Sequence, residues 1–127
     1  MYENLDLFRT AGAMAHHAGR RQAVVATNVA NADTPGYRAQ AIPSFQDTYR
    51  AGPTSVMKAT RAGHLAPQAV AQQARDIVLT GEPSPNGNTV SLEDEMLNAV
   101  SVSREHSRAL SIYRHTMTVL RTALGRG

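Results

Sequence analysis

The sequence predicts a mainly α-helical chain, with two long terminal helices packed as an antiparallel, coiled-coil-like hairpin. Between them it predicts a small irregular or β-containing middle segment, with the whole partly disordered as a monomer. Three observations lead there. All six prolines fall between positions 35 and 85, and five of the nine glycines between 36 and 87, so helix breakers concentrate in the middle of the 127 residues. Both flanks carry apolar residues at alternating steps of three and four. The filler is alanine, at 20 residues, while Leu, Ile, Val and Phe together number only 24. That composition favours close helix–helix contact, including contact with other subunits, over a thick isolated core. The chain therefore divides into a helical segment 1–34, a Pro/Gly-rich middle 35–90 with short strands, and a helical segment 91–127, together one structural unit.

The first helix is expected from about Leu5 to Asn31. Its seam reads Phe8, Ala11, Ala15, Ala18, Gln22, Val25 and Val29, six of the seven apolar, with alanines that let a partner backbone approach closely. Gly12 and Gly19 each weaken it by up to about 1 kcal/mol relative to alanine. Pro35 disfavours helical geometry at Thr34, and Pro35-Gly36 suits the centre of a type II turn with Gly36 at positive φ. In the middle, Asp76 to Thr80 reads as a short strand, Val70 to Ala74 as a fragment of helix or strand, and Asn86-Gly87 as a tight turn. The rest reads as loop. The last helix begins at a capping box, Ser91 with Asp94, and Glu93, Asp94 and Glu95 face the positive end of its dipole. It runs without Gly or Pro from Leu92 to Leu124, with a seam of Leu92, Met96, Ala99, Ser103, His106, Leu110, Tyr113, Met117, Leu120 and Leu124. At 1.5 Å per residue it is roughly 50 Å long. Gly125 ends it.

Several functions are excluded or disfavoured. With no cysteine there is no disulfide scaffold, thiolate metal site or thiol catalysis. No run of 18 apolar residues exists, so no direct membrane span is expected. Acids in Met1-Tyr2-Glu3-Asn4-Leu5-Asp6 oppose a conventional cleaved signal. The net charge is +3, from 13 basic and 10 acidic residues, and the basic ones are scattered, so no nucleic-acid partner is expected. His16 and His17 point about 100° apart on a helix and cannot share an ion, and Glu105-His106 lacks a second histidine. These histidines read as surface or interface groups. No serine sits in a nucleophile elbow and no phosphate-cradling glycine motif appears, so no catalytic, cofactor or metal residue is assigned.

One run stands apart: Asn28-Val29-Ala30-Asn31-Ala32-Asp33-Thr34-Pro35-Gly36-Tyr37-Arg38. Physically it is a helix end where Asn28 and Asn31 can bond freed carbonyls, followed by a fixed turn and an aromatic reversing onto the helix. It resembles the A-N-x-A-N-x-x-T-P-G-Y signature near the amino terminus of bacterial flagellar rod, hook and related axial proteins. Gly87-Asn88-Thr89-Val90-Ser91-Leu92-Glu93-Asp94-Glu95-Met96 resembles the G-N-T-V-x-L-E-x-E-M stretch of the proximal rod proteins, where the other small rod protein usually has P-N-V-N. Lys58 to Leu65 is similar to the family's middle segment. The C-terminal helix departs in places, since the family more often has tyrosine around His106 and asparagine at the position of Val102, and those contacts are not carried over.

The resemblance implies a structural, non-enzymatic component of the flagellar basal-body rod, in the periplasm, exported by the flagellar type III apparatus without signal cleavage. It implies terminal helices that self-assemble into a hollow helical shaft passing exported subunits and transmitting torque. The implied partners are other copies, other rod proteins, and the membrane ring and export-gate proteins at the rod base. Asn28, Asn31, Thr34, Pro35, Gly36, Tyr37, Asn88, Val90, Leu92, Glu95 and Met96 become the motif residues for assembly, beside the two seams. The same seams also fit a soluble helical-hairpin binding module such as an export chaperone.

Overall fold

A computed structural model describes residues 2–51, 77–79 and 81–125. Helix α1 spans Tyr2–Ala30, strand β1 Gln40–Ala41, helix α2 Phe45–Ala51, strand β2 Ile77–Val78 and helix α3 Leu92–Ala123. The stretches Lys58 to Leu65 and Val70 to Ala74, read above as a family segment and an element fragment, lie outside the described residues.

The two long helices pack against each other in opposite directions. Phe8 packs against Tyr113 with ring centroids 4.3 Å apart and the rings tilted by 35°, Arg21 pairs with Glu105 at 2.6 Å, and Asn28 bonds Glu95 at 3.1 Å. As the α1 number rises the α3 number falls, which defines an antiparallel hairpin. The contact uses small residues. Ala11 and Ala18 on α1 meet a buried line of Glu95, Val102, Ala109 and Thr116 on α3, spaced at seven residues as a heptad requires.

That line lies one residue from Met96, Ser103, Leu110 and Met117, which the apolar count had placed on the seam. Ala99, His106, Tyr113 and Leu120 from the same count remain half-buried, as do Phe8, Ala15 and Val25 on α1. Leu92, Met96 and Leu124 are exposed, as are Val29 and Gln22. The cause is chemical: the buried line contains a glutamate and a threonine, and larger apolar neighbours outscore them in any hydrophobicity pattern.

Local chemistry sets the ends. Ser91 Oγ accepts from the Asp94 N–H, the first half of the expected capping box. Gly125, at φ 70°, follows Leu124, whose N–H returns to Leu120 O. Strand β1 pairs antiparallel with β2, Gln40 opposite Val78 and Ala41 opposite Ile77. Helix α2 was not expected within the loop reading. Its signal is Pro43-Ser44 with Asp47 three residues on: the Asp47 N–H donates to Ser44 Oγ at 3.2 Å, and Ser44 Oγ donates to Asp47 Oδ2 at 2.6 Å.

His17 corrects a second expectation. Read as a surface or interface histidine, it is 1% exposed, edge-on to Phe45 of α2 at 5.6 Å between centroids. Burial, and then the nearby Arg21 guanidinium, push its pKa below the usual histidine value. His16, one residue earlier, is exposed.

Candidate assembly site

The two signature motifs, about 50 residues apart in sequence, meet in one place. Helix α1 ends with no basic residue in its last turn, so its free carbonyls need other donors. Asn31 supplies one from within, its Nδ2 donating to Thr27 O at 2.8 Å. The Asn31 and Ala32 N–H groups return to Thr27 O, Asn28 O and Val29 O, and Asn88 reaches from across the fold to the carbonyls of the turn that follows. Its Nδ2 lies 2.9 Å from Asn31 O, 2.8 Å from Ala32 O and 2.8 Å from Thr34 O, so two hydrogens serve three acceptors. Its Oδ1 accepts from the Val90 N–H at 2.7 Å, which sets the chain on course for α3. Asn88 is 2% exposed. Thus Asn31 bonds a freed helix carbonyl as expected, Asn28 does not, and Asn88 pins the turn that follows.

Asn28 has a different task. It is fully buried and uses every hydrogen-bonding position it has. Nδ2 donates to Gln40 O at 2.7 Å and to Glu95 Oε1 at 3.1 Å, while Oδ1 accepts from the Gln40 N–H at 3.1 Å and from Tyr37 Oη at 3.3 Å. By taking both backbone groups of Gln40 it acts as a one-residue strand partner and holds β1 against α1.

Two glycines permit the closure. The Tyr37 N–H returns to Thr34 O at 3.3 Å with Gly36 at φ 72°, the geometry of the expected type II turn. Gly87 has φ 81°, and a Cβ there would sit 3.4 Å from Gly36 Cα. The Gly36 N–H donates to Asn86 O at 3.0 Å, and the Thr89 N–H to Tyr37 O at 3.0 Å. Thr89 Oγ1 then accepts from the Ala39 N–H at 2.9 Å. The contributions of Gln40, Asn86 and Thr89 run mostly through backbone atoms, where side-chain identity gives no signal.

Glu95 completes the site from the first turn of α3. It is 4% exposed, and its Oε2 has no hydrogen-bond partner among the described residues. Burial raises its pKa, the Asn28 hydrogen bond works against that rise, and the Asp94 charge adds to it. Of the other motif residues, Tyr37 and Val90 are half-buried, Thr34, Pro35 and Gly36 lie on the surface, and Leu92 and Met96 are exposed. The site therefore brings Asn28, Asn31, Thr34, Gly36, Tyr37, Asn88, Val90 and Glu95 together and leaves Leu92 and Met96 outside. It has the chemistry of a clasp: neutral amides saturating backbone groups. Among the described residues no three His, Asp or Glu side chains converge as metal ligands.

Residues 10–38, which hold the first half of this clasp, match the family model described as flagella basal body rod protein. The chain is 30% identical over 123 residues to the flagellar basal body rod protein FlgB of Agrobacterium fabrum, covering 91% of this chain and 92% of that one. The chain belongs to the FlgB family of flagellar basal body rod proteins. FlgB of Escherichia coli K12 is 32% identical over 101 residues, 72% of this chain and 73% of its own. FlgB of Salmonella typhimurium is 29% identical over 102 residues, 73% and 74% of the two chains. Family membership makes this chain a flagellar rod component of the basal body, structural in role. No described helix is long and apolar enough to cross a membrane.

Proposed function

We propose that this FlgB-family chain self-assembles through α1 and α3, with other copies and other rod proteins, into the hollow helical shaft of the proximal rod. In this reading it is exported without signal cleavage, assembles in the periplasm against the ring and export-gate proteins at the rod base, and passes torque through interlocked helices. One observation carries the reading. The clasp fixes two long helices as a single antiparallel unit, yet leaves most large apolar side chains of α3 outside it.

Among the described residues the fully buried apolar ones are only Ala11, Ala18, Ala39, Ile42, Val102 and Ala109. Leu92, Met96, Leu97, Val100 and Leu124 are each at least half exposed. Neighbouring subunits supply the missing burial, and until they do the free chain is loosely held. Subunits joined head to tail by a rotation that does not close form an open helical array.

The test is mass spectrometry of detergent-extracted, purified basal bodies from the source cell, together with the motility of a strain lacking the gene. The chain should co-purify with other rod proteins, and the deletion strain should be non-motile until complemented. A chain confined to the cytosol of flagellated cells overturns the reading in favour of an export chaperone.

A further inference from the structure

The face of α3 turned away from α1 carries a short stripe with its own symmetry. Glu93, Leu97, Val100 and Arg104 follow one another at steps of four, three and four. At 100° per residue they fall within an arc of about 60°. That arc is centred roughly opposite the buried line of Glu95 and Val102. Leu97 is 70% exposed and Val100 52%, and Glu93 and Arg104 are exposed with no ion pair among the described residues. Met96, 62% exposed, borders the stripe. Glu93 and Arg104 stand equally far from the midpoint between Leu97 and Val100. When the stripe is reversed end for end, acid therefore falls on base and Leu97 falls on Val100.

We propose that this stripe is the contact of an antiparallel, two-fold dimer between two copies of this chain. Leu97 of each copy packs against Val100 of the other, and Glu93 of each pairs with Arg104 of the other. A seam of step 3–4 with opposite charges at its ends is what sets partner and orientation in paired helices. The two-fold axis makes both charge pairs form at once. The contact spans about three helical turns, so the dimer is weak and concentration-dependent.

A two-fold pair also reverses α3 between copies, whereas subunits related by one repeated rotation and rise all point the same way. The dimer is therefore a form of the unassembled chain, and it covers an apolar stripe that a growing shaft would have to free. Only this last step rests on the assembly reading above; the dimer itself does not.

Sedimentation equilibrium of the purified full chain tests it. The wild type should show a monomer–dimer equilibrium that weakens between low and high salt. Glu93→Arg alone and Arg104→Glu alone should each raise the dissociation constant about tenfold, because symmetry counts each reversal twice. An equimolar mixture of the two variants should dimerise at least as well as wild type, since the mixed pair restores two opposite-charge contacts. Unchanged far-ultraviolet circular dichroism confirms that these surface changes leave the helices intact. A wild type that stays monomeric overturns the proposal, as does association that the single variants leave unaltered or that mixing fails to restore. The sedimentation result is independent of basal-body composition, so failure of the dimer and failure of the rod assignment are told apart.

Discussion

Asn28 of α1 and Glu95 of α3, 67 residues apart in the chain, share a buried hydrogen bond of 3.1 Å. The bond places a carboxyl group where water cannot solvate it, beside an amide that is already fully engaged. This junction is where the two helices and β1 meet, and its carboxyl gives one of the two pH-dependent contributions to stability.

Glu95 has its pKa raised in the folded chain, so the folded state holds a proton that the unfolded state releases. The stability it contributes is complete below the unfolded value of 4.5 and is lost as pH rises through the folded value. Glu95→Gln keeps the acceptor for Asn28 and removes the titration. Thermal melts should show the variant more stable than wild type at pH 7, with the advantage disappearing at pH 4. An equal advantage at both pH values contradicts a buried titrating carboxyl.

His17 works in the opposite direction. Its folded pKa is lowered from 6.5, so its contribution is present above 6.5 and is lost as pH falls through the folded value. His17→Phe should flatten the loss of stability between pH 7 and pH 5 while keeping the apolar contact with Phe45. Urea unfolding at the two pH values measures it.

Asn88→Ala removes, among the described residues, the one side chain that bonds the three carbonyls after α1. Asn31 O and Thr34 O keep the backbone N–H groups of Thr34 and Tyr37, while Ala32 O and the Val90 N–H lose their partner, so the cost is about 1–3 kcal/mol, read from the urea midpoint. Asn88→Asp should be at least as damaging, since a carboxylate oxygen then faces carbonyl oxygens.

Gly36→Val places a β-branched residue at φ 72° and costs at least about 1–2 kcal/mol. It should misdirect the chain after α1 and abolish motility, whereas Gly36→Asn, which tolerates that conformation, should retain it. Normal motility in the valine variant counts against the clasp as an assembly requirement.

Gly12 and Gly19 behave differently from the turn glycines. A Cβ at either would meet nothing within 4 Å, and both have ordinary negative φ inside α1. Alanine at each should stabilise the chain by up to about 1 kcal/mol, seen as a higher melting temperature.

The helices, the Pro35-Gly36 turn, the cap at Ser91 and the short strand before Gly81 were legible because each follows from local chemistry. So was the seam of α1, where Ala11 and Ala18 are buried as the pattern expects, but the rotation of α3 about its own axis was not. Glu95 and Thr116 are polar residues that α3 buries, while their neighbours Met96 and Met117, and Leu110 beside Ala109, are larger and apolar, so a hydrophobicity pattern places the seam one residue away. The clasp was half legible. Its residues stood out as two unusual runs, but nothing local says that the Asn88 amide reaches Thr34 O, 54 residues away. Tertiary closure decides that, through two glycines that allow the backbones to touch.

Ala11, Ala18 and Ala109, buried in the helix pair, have no side-chain torsion to turn. Larger side chains can hop between rotamers when their helices are sheared, and each hop dissipates energy and lets the helices creep. The alanines of this contact have no such escape, so at Ala11, Ala18 and Ala109 shear falls on the hydrogen-bonded backbone. At these three positions the helix pair has little side-chain slack.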